Sequence, residues 1–235
     1  MNFERMLRYL TALEQNNNRT WFHDPANHQL YTDARQDFIE LVEELKFRIA
    51  DVCAPELAER LIFVDPKALL YRIPRDMRTN KGKLPYNPRW AAELSAGRHT
   101  PLPIGYYVHI QPGGQSLFGT GVWCWDGDVL HNMRRAIAED YERLEELLAD
   151  CDYPLFGDRL KRVPQGYDPG HPAAEYLKLK SWLVSRSYED HELRDFDSFL
   201  DSAAAAVENM EPLRCFFNDA LAGRRRNPFD VHDWD

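Results

Sequence analysis

The chain changes hydrophobic period partway along, which restricts it to folds that combine helices with a sheet. Up to about residue 61 the apolar residues recur at helical spacing. From residue 62 to residue 125 they fall in short β-rich pieces bounded by proline and glycine, and from about residue 126 helical spacing returns. The first region predicts a helix over residues 3–14, a break at Asn16-Asn17-Asn18, and a long helix opened by Asp24-Pro25 and running to about residue 52. Trp21 and Phe22, just before that cap, are expected to pack back onto it, and Pro55 to open a short helical turn through Leu61.

In the middle region, residues 62–64, 68–73, 106–110 and 116–125 are the predicted strands of an antiparallel meander. Period two places Tyr106, Val108 and Ile110 on one face and Tyr107, His109 and Gln111 on the other. Pro112-Gly113-Gly114-Gln115 is the turn into the next strand, where Gly119 and Gly121 predict a bulge or a close approach. A second long helix is expected from Asp126 along the stripe Val129, Met133, Ile137, Tyr141, Leu144 and Leu148. Residues 171–177 predict a short helix and residues 181–188 a last strand; a helix from about Phe196 ends at Gly223, kinked or broken at Pro212. These readings give an α+β fold with a central, mainly antiparallel sheet packed between several long helices. Without repeat or linker, residues 1–223 are expected to form one domain and 224–235 a mobile tail.

Composition narrows the function classes. Among 235 residues the four cysteines lie far apart with no C-x-x-C pair, so neither a disulfide framework nor a zinc module is expected, and no cofactor is implied. No apolar run is long enough to span a bilayer and the first residues lack the core of a signal peptide, so a cytoplasmic protein without membrane contact is expected. A net charge of −9 argues against general binding of duplex nucleic acid.

Against that acidic background stands Tyr71 to Tyr86, where Arg72, Arg75, Arg78, Lys81 and Lys83 face a single acid, Asp76. Widening the window to residues 67–90 adds Lys67 and Arg89, giving a local charge of +6. Such a concentration of donors suits a bound anion such as phosphate or carboxylate. Pro74 opposes a regular helix across the arginines, so a strand ending near Ile73 and a loop over the sheet would bring them together. Tyr86 would offer a stacking surface, His109 a polar pocket floor, and Lys161, leading a second basic set with Arg162, Lys178, Lys180 and Arg186, the opposite wall. Two other readings stand beside this one: the island docks an acidic protein partner, or its cations pair with neighbouring acids and only hold the loop down.

Asn16-Asn17-Asn18-Arg19 with Trp21-Phe22, Tyr71-Arg72-x-x-Arg75-Asp76-x-Arg78 through Pro85-Tyr86, Gly105 to Gly114, and Leu160 to Tyr167 followed by His171-Pro172 together resemble a widespread, mainly bacterial family of conserved hypothetical proteins, a domain of unknown function. The likeness spans roughly Met6 to Leu221. It implies one shared domain and carries over no activity, cofactor or catalytic residue.

The phosphate-binding G-x-x-x-x-G-K-[ST] loop and the G-x-S-x-G serine elbow are missing, and Gly119-Thr120-Gly121 precedes a strand where a dinucleotide fingerprint needs a helix. Asp126 and Asp128 with His131 could bind a metal at a helix start, but N-capping explains both aspartates. His171 is a weak proton-carrier candidate beside a proline and serves equally well as a helix cap. The residues thus point to binding of a small anionic ligand, a phosphorylated metabolite, nucleotide or short single strand. Whether a reaction follows, and which protein partner the chain has, is left open.

Overall fold

The computed structural model describes residues 1–97, 102–123 and 126–222. The last two positions of the strand predicted over residues 116–125, the helix stop at Gly223 and the tail from residue 224 lie outside these.

Helix α1 (Phe3–Gln15) starts where the Asn2 side chain accepts the Arg5 N–H, and it buries Phe3, Met6, Tyr9, Leu10 and Leu13. A turn of helix, α2 (Arg19–His23), follows the asparagines and carries Phe22 inward. Helix α3 (Pro25–Ala50) begins as the sequence signals, with Asp24 accepting from the Ala26 and Asn27 N–H groups and proline at the first position. Phe22 meets Tyr31 of α3 at 5.2 Å between ring centroids, the expected staple. Helix α4 (Pro55–Leu61) is also as predicted.

Two predicted strands are absent. Residues 62–64 form a turn, and residues 66–69 are α5 (Pro66–Leu69), opened by Asp65, which accepts the Lys67 N–H. Asp-Pro is a helix start here as at residue 24, and a short apolar run does not override it. Only Leu70 keeps strand character, bridging to Ala92.

The sheet has four antiparallel strands in the order β1 (Trp90–Leu94), β2 (Tyr106–Ile110), β3 (Ser116–Val122), β4 (Trp182–Tyr188). Strand β1 was invisible to propensity, since its alanines favour no strand. Register pairs Ala91 with His109, His109 with Leu117, and Leu117 with Ser187. The β2–β3 turn has positive φ at Gly113 (80°) and Gly114 (68°), the backbone of a tight hairpin. Asp190 anchors it by accepting both glycine N–H groups, at 2.9 and 3.0 Å. Gly119 and Gly121 permit the close approach of β4: a Cβ at either would collide with the Val184 or Trp182 carbonyl.

After the sheet, the expected long helix is two, α6 (Gly127–Glu139) and α7 (Tyr141–Asp150), broken at Asp140, whose φ of −139° leaves the helical region. No proline or glycine marks that break. Then come α8 (Ala174–Leu177) and α9 (Phe196–Ala222), which passes through Pro212 as one helix. Burial of Met210, Leu213, Phe216 and Phe217 on both sides of the proline holds it straight enough to continue.

Helix α9 lies on β3, α3 lies on β1 and α9, and α6 and α7 pack behind α9. The side chains that meet them alternate along the strands: Trp90, Ala92, Leu94, Tyr106, Val108, Ile110, Phe118, Val122, Trp182 and Val184 are all buried. The expected α+β fold, an antiparallel sheet packed against long helices, is thus present, and among the described residues the helices lie on one face of the sheet. On the other face Glu93 and Ser187 are exposed, and Tyr107, Leu117, Leu183 and Ser185 only half-buried. Among the described residues no helix is long and apolar enough to cross a membrane.

Candidate functional site

The basic island is a hairpin-like arm added to the β1 edge. Ile73 and Arg75 pair with Asn87 and Pro85 through the bonds Asn87 N–H to Ile73 carbonyl, 2.8 Å, and Arg75 N–H to Pro85 carbonyl, 2.9 Å. Pro74 faces Tyr86 between them. Proline is tolerated because it lacks only a donor that this pairing does not use. The tip is shaped by Asp76, whose carboxylate accepts the Arg78 N–H at 2.8 Å and whose carbonyl accepts the Asn80 N–H at 3.1 Å. Asn17 ties the arm to the helical layer, accepting the Tyr86 N–H at 3.0 Å and donating to the Tyr86 carbonyl at 2.9 Å.

Between the arm and the ends of β1 and β2 lies a cleft of about 620 Å³ lined by Arg75, Asn80, Lys83, Asn87, Pro88, Arg89 and Gln111. Among the described residues three cations and three carboxamides line it, and no carboxylate, imidazole or thiol does. Among the described residues Arg75, Lys83 and Arg89 form no ion pair. Arg75 commits one nitrogen, Nη1, to the Leu84 and Tyr86 carbonyls at 2.7 and 3.1 Å. Its pKa is lowered by partial burial and then by the like charge of Arg89, so the two guanidiniums repel each other across a space with no protein counter-charge. Carboxamides and cations in that arrangement can hold an anion by charge-assisted hydrogen bonds.

The structure divides the residues singled out in the sequence. Arg75 and Lys83 line the cleft. Arg78 grips Asp76 through Nε and Nη2 at 2.8–3.1 Å, and that hydrogen bond is the first cause of the low pKa of Asp76. Arg72 and Lys81 are exposed and do not line the cleft. The Tyr86 ring stacks on Phe22 at 4.1 Å and 10°, buried to 4% exposure, so in place of a free stacking surface it anchors the arm. It faces a smaller recess of about 200 Å³ on the arm's other side, with Arg19, His23 and Met77.

His109 is 8% exposed, its Nε2 at 2.6 Å from the Gln115 carbonyl and its Nδ1 at 3.3 Å from the Tyr107 hydroxyl. A nitrogen facing a carbonyl must carry the proton, so Nδ1 accepts from Tyr107. Desolvation lowers the His109 pKa, the Gln115 bond opposes this, and the Arg89 charge adds to the lowering. The ring therefore braces the β2–β3 hairpin and does not line the cleft.

Lys161 is remote from it. Phe156 pairs with Leu183 at the start of β4, but Arg159 pairs with Leu179 and the Leu160 N–H donates to the Lys178 carbonyl at 2.7 Å, so the segment leaves the sheet at the end opposite the cleft. The expected convergence of both basic sets on one pocket thus fails, because the sheet stands between them. The His171 Nδ1 accepts the Ala173 N–H at 3.0 Å in the turn before α8, a helix without a side-chain cap, while Asp126 caps α6. Among the described residues no group of three or more His, Cys, Asp or Glu is placed to hold a metal.

Arg89, Asn80, Asn87 and Gln111 were not assigned to a site from the sequence. Arg89 carried a signal as part of the widened charge window and Gln111 as a polar position on β2. Their meeting follows from register, since they extend the Trp90–Ile110 pair by one residue.

Fold and site together define an α+β protein with an acid-free cationic cleft at the edge of a half-covered antiparallel sheet. The chain belongs to the conserved hypothetical protein family DUF2461, whose family model matches residues 5–216. Neither a curated protein nor a solved structure matches it.

Proposed function

We propose that the chain binds a small anionic ligand, a phosphorylated metabolite, nucleotide or short single strand, in the cleft formed by Arg75, Lys83 and Arg89. One observation carries this reading: three cations line a concave space with three carboxamides and no acid. Mutual repulsion among them is relieved when an anion enters, which gives the bound state a favourable electrostatic term. A flat basic patch would suit an acidic protein partner better, and full pairing of every cation would suit a purely structural role. Arg78, with its grip on Asp76, fits the structural role, and Arg75 shares in it through the Leu84 and Tyr86 carbonyls; Lys83 and Arg89 form no ion pair among the described residues. A cytoplasmic setting, with residues 1–223 acting as one unit, completes the proposal.

Thermal-shift measurements with inorganic phosphate, pyrophosphate and nucleoside mono- and diphosphates at low salt test it. Ligand binding to the native state raises the melting temperature. Stabilisation by one of these anions, lost in the Lys83→Ala/Arg89→Ala variant and kept in Arg78→Ala, is the expected result. No stabilisation by any of them in the wild type, or equal stabilisation in Lys83→Ala/Arg89→Ala, overturns the reading.

A further inference from the structure

The polar groups lining the cleft are of two kinds, and only one of them suits a bare anion. Lys83 and Arg89 offer donors alone, and among the described residues neither side chain has a hydrogen bond or an ion pair within the protein. Arg75 commits Nη1 to the Leu84 and Tyr86 carbonyls, and its other nitrogens have no such bond. The carboxamides differ. The Asp76 carbonyl can only accept, so the Asn80 atom 2.9 Å from it is the nitrogen. That nitrogen also donates to the Thr79 hydroxyl at 3.1 Å, so both of its N–H groups are engaged, and the Asn80 Oδ1 has no donor among the described residues. Gln111 is turned the same way: its Nε2 donates to Gln115 Oε1 at 2.6 Å, and its own Oε1 has no protein donor among the described residues. Asn87 pairs with Ile73 through its backbone only, which leaves its side chain with a donor and an acceptor to offer.

Acceptor oxygens therefore stand beside the cations, Asn80 on the arm and Gln111 just beyond the end of β2. An anionic oxygen brought against such a carbonyl oxygen sets lone pair against lone pair, so a ligand made only of anionic oxygens satisfies the cations and is repelled by the carboxamides. A hydroxyl group donates to them. Size agrees, since one phosphate fills a small part of a space of about 620 Å³. A nucleobase finds little to rest on: Pro88 is the only apolar residue among the described ones lining the cleft, and the Tyr86 ring is turned away onto Phe22.

We infer that the cleft takes a phosphorylated sugar or polyol, its phosphate held by Arg75, Lys83 and Arg89 and its hydroxyls by Asn80, Asn87 and Gln111. The inference rests on the cleft reading and narrows it to one chemical class. Three cations match a phosphate dianion better than a single carboxylate, which separates a sugar phosphate from a sugar acid. The arm supplies Arg75, Asn80 and Lys83, while Arg89 and Gln111 flank the Trp90–Ile110 pair of the sheet, so a ligand that uses both kinds of group bridges the arm to the sheet.

Isothermal titration calorimetry at low salt with glucose 6-phosphate, ribose 5-phosphate, adenosine monophosphate, glucuronate, glucose and inorganic phosphate provides the test. Glucose 6-phosphate is expected to bind at least about tenfold more tightly than inorganic phosphate, as one or two neutral hydrogen bonds would give. Adenosine monophosphate should stay within about fivefold of ribose 5-phosphate, since a stacked base would add at least that. Glucuronate should bind more weakly than glucose 6-phosphate, and glucose not measurably. In Asn87→Ala/Gln111→Ala the advantage of glucose 6-phosphate over inorganic phosphate should shrink by about fivefold; a general loss of affinity would weaken both ligands alike. Circular dichroism with an unchanged melting temperature verifies that this variant folds. Glucose 6-phosphate no tighter than inorganic phosphate, a base that adds more than about fivefold, equal affinity for glucuronate, or an undiminished advantage in Asn87→Ala/Gln111→Ala overturns the inference. The cleft reading survives each of these results if inorganic phosphate stabilises the wild type and not Lys83→Ala/Arg89→Ala. If glucose 6-phosphate binds Lys83→Ala/Arg89→Ala as tightly as the wild type, the cleft reading falls, and the inference with it.

Discussion

Three adjacent asparagines take three unrelated jobs. Asn16 closes α1, its side chain donating to the Ala12 carbonyl at 2.9 Å, and Asn18 opens α2 by accepting the Trp21 N–H at 3.0 Å. Asn17 imitates a strand: its carboxamide offers the Tyr86 backbone one donor and one acceptor, as a paired peptide would. That clamp fixes the arm that carries Arg75 and Lys83. Replacing Asn17 by alanine removes two part-buried bonds and should cost about 1–3 kcal/mol. Denaturant unfolding measures the loss, and amide exchange at Tyr86 should accelerate far more than in α9. An unchanged Tyr86 amide would mean that the stacking of Tyr86 on Phe22 holds the arm unaided. From the sequence, Asn16-Asn17-Asn18 is readable as a break; the partner of Asn17 is not, because it lies 69 positions away.

Among the elements, α9 carries the costliest arrangement. Arg214 is fully buried; its guanidinium donates to Glu211 at 2.6 and 2.7 Å and to the Ile104 carbonyl at 2.7 Å, while the Tyr106 hydroxyl bonds the same carboxylate. Glu211 also accepts the Ala54 N–H at 2.7 Å, so one carboxylate joins α9, β2 and the start of α4. Desolvation pushes its pKa up, but the bonds from Arg214, Tyr106 and Ala54 outweigh this and hold it below the usual carboxylate value. Truncation leaves the buried guanidinium with only the more distant carboxylate of Glu56, at 3.4 Å, so Glu211→Ala should destabilise by about 3–5 kcal/mol in urea unfolding. The pH dependence has a definite sign. A carboxylate with a lowered folded-state pKa contributes stability above its unfolded value near 4.3, and loses it as pH falls through the folded pKa. The wild type should therefore lose stability below about pH 4.3 more steeply than Glu211→Gln, in which that group no longer titrates. Parallel acid profiles would count against the assigned role. Helix starts such as Asp24-Pro25 and Asp126 are local chemistry and readable in advance; β1, the split at Asp140 and the unbroken passage through Pro212 depend on what each segment packs against.

At the scale of the whole molecule, the decisive feature is that, among the described residues, helices pack on one face of a four-stranded sheet and not on the other. Cations gathered in the arm at the β1 edge give that end of the sheet a positive patch that the net charge of −9 conceals. Ser187 lies on the other face, exposed, one residue from the end of β4. Ser187→Glu places a carboxylate there without disturbing the core. Stability in denaturant unfolding should change by no more than about 0.5 kcal/mol. A loss of several kcal/mol would mean that another part of the chain packs on that face.

By itself the sequence determined the α+β class, most helix starts, the β2–β3 hairpin with its turn, the last strand, and the island as the place where cations concentrate. Each of these follows from local spacing, capping or turn chemistry, which neighbouring residues decide among themselves. Only the tertiary structure decided which cations face the cleft. Arg75 and Lys83 meet Arg89 and Gln111 there because antiparallel register brings the start of β1 beside the end of β2, while Arg78 is drawn off by Asp76 and Lys161 is carried past the opposite end of the sheet by the pairing of Leu160 with Lys178. Register and strand order are set by which faces can be buried together. That balance involves residues too far apart in the chain for any local pattern to record it.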